Sequence, residues 1–475
     1  MGLFSHLCCS GLVSVGRSSA RTRRPLRGYE GRLPSVRSWP WGQVTFDLYF
    51  LAFHFTGAAM ARRPPEEAGA MITRDQSALL APVERDLRLD LFRGIGLWMI
   101  FLDHIPHDVV AWLTLRNYGF SDAAEFFVFI SGYLVGWIYG PIVAGGWFLA
   151  ALKRLWRRAA EMYVAHIMLF LLFTAQIART ARRFDNPMYE HEFNVFNFLS
   201  HPDELIGQAI VLKYKPVNLD VLPLYITLVL AAPFIVWCLV RRPNLTLAGS
   251  VVLYALSRWF DWNVASYPPG SHWYFNPFCW QLMFVFAAWC GIGQIETIAK
   301  WVWSRAVMTL AAAWLAFALL IVMTWHIPAL EAMIPKWMIK AIYPIDKTDL
   351  DMLRFTHFLA LAIWVTYFIS RKWRALHAAW LRPVIVCGQH SLPIFCLGVF
   401  LSFSAHWILT QYSKGFWEQL AVSVVGIVIM IGAAWLLGRA ERVPNLFVKV
   451  TEVEEADPAM ERAPAATANV APAGH

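Results

Sequence analysis

Arg93, Asp103 and His104 sit in one apolar stretch and Glu125 in the next. Inserting such a side chain into hydrocarbon costs about 2.5–3.5 kcal/mol, which makes each one a functional candidate by default. Arg93 and His104 are eleven positions apart. At about 100° per residue they share one helix face, separated by about 16 Å along the axis. A neutral imidazole with an ordinary pKa of about 6.5 suits base work near neutrality, and a guanidinium suits phosphate oxygens. Asp103 points about 100° away from its neighbour His104, toward a second substrate or His107, so Glu125 is the better carboxylate to orient the imidazole. A buried ion-pair network that only packs helices would use the same residue types. Arg93, near a span's end, also fits a snorkelling role.

Those residues require helices to hold them. A span beginning near Leu89 should end or kink near Ile105, because the ring of Pro106 disfavours helical geometry in the residue before it. His104 then falls in the last turn, where the helix dipole favours an imidazolium. The wording of this region resembles the integral-membrane acyltransferase family 3. An Arg with a His eleven residues later comes first, then Phe-Phe-Val-Phe-Ile-Ser-Gly-Tyr at 126–133, then a basic link with Arg154 and Arg157. A closer resemblance is to the OpgC branch of that family. It is carried by Arg-Asp-Leu-Arg-Leu-Asp-Leu-Phe-Arg-Gly at 85–94, Asp-His-Ile-Pro at 103–106, Leu-Arg-Asn-Tyr-Gly-Phe-Ser-Asp-Ala-Ala-Glu at 115–125 and Asn-Leu-Asp-Val-Leu-Pro-Leu-Tyr at 218–225. The resemblance runs from about residue 85 to residue 442. It implies a bacterial inner-membrane enzyme that succinylates osmoregulated periplasmic glucans, with succinyl-coenzyme A as co-substrate and no bound cofactor.

Composition supports the membrane class independently. With 58% hydrophobic residues, 15% charged and 24 Trp among 475 residues, the chain reads as an all-α polytopic membrane protein in a lipid bilayer. The net charge of +9 belongs with basic cytoplasmic loops and does not call for nucleic acid. The seven cysteines are scattered through apolar sequence without metal-ligand spacing, so no metal site is expected.

Ten apolar segments from Leu89 onward are long enough to span, several of them near the lower limit of about 17 residues. They lie at 89–113, 123–143, 159–178, 219–240, 245–260, 277–293, 307–325, 353–370, 383–410 and 417–437. Basic clusters at 153–158, 241–242, 300–305, 371–374 and 439–442 fall on alternate links. By the positive-inside rule this puts both termini in the cytoplasm. Residues 1–84 are expected to be a basic, disordered extension, with Met60 or Met71 as the true start, and residues 441–475 a disordered cytoplasmic tail. The acyltransferase domain is then 85–440. The stretch 186–199 is expected to form a short amphipathic helix on the outer surface.

Acyl transfer from a thioester to a hydroxyl needs a base, a cradle for donor phosphates and donors for a transient oxyanion. On the reading implied by the resemblance, His104, Asp103 and Glu125 are catalytic. Arg93, with Arg154, Arg157 and Arg158, binds the acyl-coenzyme A donor. Asp220, Gln281, Arg354 and His357 are candidates for holding the glucan acceptor or the acyl chain, an Arg being the natural partner of a succinyl carboxylate. An acetyl donor with another envelope glycan remains open, as does a transporter that lines its passage with the same charges.

Overall fold

The computed structural model describes residues 85–440. The expectations for the N-terminal extension and the C-terminal tail lie outside the described residues.

Helix α1, Leu87–Asp103, starts on the carboxylate of Asp86, which accepts the Arg88 N–H. It stops one residue before His104, whose N–H closes onto the Ile100 carbonyl. The segment 89–113 is therefore not one helix. After Pro106 the chain turns through His107 at a positive φ of 62°, then forms short 3-10 turns at Val109–Leu113 and Leu115–Asn117. Helix α2, Ala123–Ala144, begins with a reciprocal cap: Asp122 accepts the Ala124 N–H, and Glu125 reaches back to the Asp122 N–H.

Helix α3, Phe148–Arg183, is nearly twice the expected length. Its 36 residues span about 54 Å, against about 30 Å of hydrocarbon. Basic residues gather near both ends of α3, at Lys153–Arg158 and Arg179–Arg183. The 186–199 stretch forms two short helices, α4 Met188–Glu192 and α5 Phe196–Ser200, where one was expected. Next come α6 Pro202–Ile210, α7 Val221–Arg241 and α8 Pro243–Trp259. Helix α9, Pro277–Gly291, is followed at a 96° bend by α10, Ile295–Val302. Then follow α11 Arg305–Met323, α12 Pro328–Met333, α13 Lys336–Ile342 and α14 Met352–Phe368. The expected segment 383–410 is broken at His390 into α15 Arg382–Gln389 and α16 Ser391–Gln411. Helix α17, Phe416–Ala440, completes the described chain.

Six of these helices (α2, α3, α7, α11, α16 and α17) are long and apolar enough to cross a membrane, and a seventh is obtained if α9 and α10 form one bent span. Among the described residues the chain is all-helical apart from one isolated bridge between Ala265 and His272. It is a multi-pass membrane protein.

Two helix contacts fix the centre. Gly132 and Gly136 of α2 lie against the carbonyls of Phe284 and Ala288 in α9, so close that a Cβ at either position would collide with backbone. Glycines four apart present one flat strip, which lets two backbones approach as small residues do between membrane helices. Helix α1 meets α15 in the same way, Gly94 against Val384 and Gly388 against Asp90. Around these pairs, Phe101, Trp280, Phe284 and Phe403 are fully buried.

The contacts also sort the helix ends. Arg354, in the first turn of α14, bonds Glu125, in the first turn of α2, so these two N-termini share one end of the bundle. At the opposite end Arg371, beyond α14, approaches Asp86 at 4.0 Å and lies over the Trp137 ring at 5.4 Å.

Candidate functional site

Four charged groups form one cluster where α2 and α14 begin. Arg354 donates from Nε to Glu125 at 2.7 Å and from its terminal nitrogen to Asp122 at 3.0 Å. Lys347 donates to the same Asp122 oxygen at 2.6 Å. Glu125 is completely buried. An ion sealed in this way must be paired and hydrogen-bonded, and Arg354 with the Asp122 N–H supplies both. Asp122 lies outside the helices. Burial works against its charge, but Lys347 and Arg354 outweigh that and hold its carboxyl far below the usual range. For Lys347 burial again opposes the charge, and Asp122 raises it above the ordinary lysine range.

His104, just past the end of α1, lies near this cluster. The charges acting on its ring are those of Lys347, Arg116 and Asp122. Its Nδ1 is buried and has no hydrogen-bond partner among the described residues. An unmet buried polar atom costs about 1–3 kcal/mol, which a bound substrate group could offset. The hydrogen bonds of Glu125 go to Arg354 and to the Asp122 N–H, so the orienting role expected of it toward His104 has no counterpart in the geometry. Asp103 turns away from His104, as its position on the helix requires. It accepts from the Thr114 hydroxyl at 2.7 Å and pairs with Arg116 at 3.4 Å, in place of His107.

Arg93 stands toward the other end of α1, where Asp90 is its nearest carboxylate at 3.9 Å. Asp90 is more tightly held by Arg85, at 2.6 Å. Arg93 also feels the charge of Arg158, and it is the charge that acts on Tyr225, whose buried hydroxyl has no hydrogen-bond partner among the described residues. Arg157 and Arg158 both reach Glu161 at 3.2 Å. Arg154 is exposed beside Tyr139. The arginines expected to bind a donor thus gather near one end of the bundle, with Arg93 and Arg158 less exposed than Arg154 and Arg157.

The remaining expected residues divide. Arg354 belongs to the cluster but is already committed to two carboxylates. His357 does not join it: its Nδ1 pairs with Ser121 at 2.8 Å, and Gly119 packs against its other side. Gln281 accepts from the Ser250 hydroxyl and donates to the Ser250 carbonyl, fastening α8 to α9. Asp220 lies beside Lys215, and both Asp220 and the cluster act on Tyr274. Burial raises the Asp220 carboxyl to about 6, against the pull of Lys215. Burial likewise depresses Lys215 to about 8, while its ammonium lies 4.5 Å from the Trp273 ring centre.

Two cluster members went unassigned in the sequence. Asp122 had a readable signal, since Asp-x-x-Glu ahead of an apolar run is a capping pattern. Lys347 had none, because it arrives from a link more than 220 residues away from Asp122.

The apolar helices, with a buried, ion-paired cluster at one end of the bundle, define a multi-pass membrane protein. The chain belongs to the OpgC protein family, whose profile matches residues 85–442, roughly three quarters of the sequence. No curated protein matches it. No solved structure matches it either.

Proposed function

We propose that this chain is a ten-span O-acyltransferase of the bacterial inner membrane, moving a succinyl group from cytoplasmic succinyl-coenzyme A to hydroxyls of periplasmic glucans. The buried Nδ1 of His104, without a hydrogen-bond partner among the described residues and near the Asp122 cluster, carries the reading. Family membership supports the succinyl and glucan parts. The alternating basic links support ten spans with cytoplasmic termini.

In this scheme the coenzyme A phosphates rest at Arg93 and Arg158, and the pantetheine arm runs along α1. The thioester then reaches the neighbourhood of His104, about 16 Å away on the same helix. His104 takes the proton of a glucan hydroxyl as its oxygen attacks the thioester carbon. The new C–O bond forms, the C–S bond breaks, and the proton passes from the imidazole to the departing thiolate. Asp103, fixed by Thr114 and Arg116, borders the acceptor side.

The deciding experiment is mass and charge analysis of periplasmic glucans from cells with the gene, without it, and with His104→Ala. We expect the succinyl increments and their negative charge to vanish in both mutants while His104→Ala protein still accumulates in the membrane. Glucans unchanged in all strains would remove the glucan assignment. Succinylation retained in His104→Ala would remove the imidazole from the chemistry.

A further inference from the structure

The two cations of the cluster are not equivalent. Arg354 uses Nε and a terminal nitrogen on two carboxylates, and its side chain is 10% exposed. Lys347 has one hydrogen-bond partner among the described residues, Asp122, and its side chain is 27% exposed. An ammonium carries three N–H donors, so two remain for an incoming group.

The backbone beneath Lys347 is held firmly. The Trp280 indole donates to the carbonyls of Lys347 and Thr348, both at 3.1 Å. The Asn276 N–H donates to the Thr348 carbonyl at 3.0 Å, and its side-chain amide to Asp349 at 2.7 Å. The Tyr254 hydroxyl donates to the Leu350 carbonyl at 3.0 Å. The Asp346 carboxylate accepts the N–H groups of Thr348 and Asp349. Lys347 is thus a flexible arm on a fixed base, and it heads the charges that act on the His104 ring.

We propose that Lys347 receives the distal carboxylate of an acidic acyl chain and so sets the preference for an acidic over a neutral acyl group. The assignment rests on the acyl-transfer reading above. It moves the acyl-carboxylate role from Arg354, which is less exposed and holds two carboxylates, to Lys347, which is more exposed and holds one. Asp122 keeps Arg354 at 3.0 Å when Lys347 swings to the substrate, so the exchange strands no charge. A neutral acyl group leaves Lys347 on Asp122, and selectivity is the difference between these two states.

The test compares kcat/KM for succinyl-coenzyme A and acetyl-coenzyme A, with glucan as acceptor, in the purified full chain. Wild type is set beside Lys347→Gln, Lys347→Arg and Arg116→Gln. We expect Lys347→Gln to lower the succinyl-to-acetyl ratio by about tenfold or more, the worth of a charge-assisted hydrogen bond, chiefly through KM for the succinyl donor. Lys347→Arg should retain most of the ratio. Arg116→Gln, which disturbs Asp103, should affect both donors alike. An unchanged ratio in Lys347→Gln, or equal loss of both donors, would overturn the assignment while leaving acyl transfer standing. No transfer by wild type from either donor would remove the acyl-transfer reading itself.

Discussion

Arg354 joins Glu125 and Asp122, and its removal separates a packing role from an electrostatic one. Arg354→Ala leaves a fully buried Glu125 with only the Asp122 N–H as partner. Breaking one side of a buried pair costs about 3–5 kcal/mol, mostly the penalty for the stranded ion. We therefore expect a large drop in thermal unfolding temperature in detergent, partly recovered when Glu125→Gln is added. If the double variant is no more stable than Arg354→Ala alone, the stranded charge is not the cause. Asp122 should tolerate the same change better, because Lys347 remains at 2.6 Å.

At the scale of elements, the site depends on how closely α2 and α9 approach. Helix α2 carries Glu125 at its first turn. Helix α9 carries Asn276 at its cap and Trp280 one turn further, and these two residues pin the Lys347 link. Gly136 is where the α2 backbone meets the Ala288 carbonyl. Gly136→Val must push the helices apart or strain them, and overpacking of this kind costs about 1–3 kcal/mol. We expect reduced thermal stability and impaired transfer together, because separating the helices also displaces Lys347 from Asp122. Gly249, where an added Cβ meets nothing within 4 Å, is the control position. Equal effects of Gly136→Val and Gly249→Val would show that the close approach is not what matters.

For the whole molecule the question is sidedness. Six helices qualify as spans by length and composition, seven with the bent α9–α10 pair. Four expected spans are short, charged or broken: α1, α8, α9 and α14. Helix α9 is only 15 residues long, but nearly all of it is buried against protein, so it need not match the bilayer by itself. With ten spans, Met333 between α11 and α14 is periplasmic and Glu296 in α10 is cytoplasmic. Both positions are exposed. A membrane-impermeant maleimide applied to intact cells whose outer membrane has been permeabilised should label Met333→Cys and spare Glu296→Cys until the inner membrane is opened. Labelling of both from outside would break the alternation of basic links and the ten-span count with it.

Class, helix positions and the polar residues worth watching were legible in the chain itself, because hydrocarbon penalises charge and rewards apolar runs whatever their partners. Arg93, His104, Glu125 and Arg354 stood out on that ground alone, and Pro106 marked the end of α1 to within two residues. Which of them meet was not legible. Glu125 pairs with Arg354 across 229 positions, and Lys347 reaches Asp122 across 225. Local periodicity places a side chain on a face of its own helix, but says nothing of the face opposite. The break at His390 and the overlong α3 were hidden for a related reason, since neighbouring helices determine where an apolar run bends or continues. His357 and Gln281 looked as functional as Arg354 in sequence. Tertiary packing gave them to Ser121 and Ser250 and left Lys347 as the more exposed cation of the cluster, on one carboxylate.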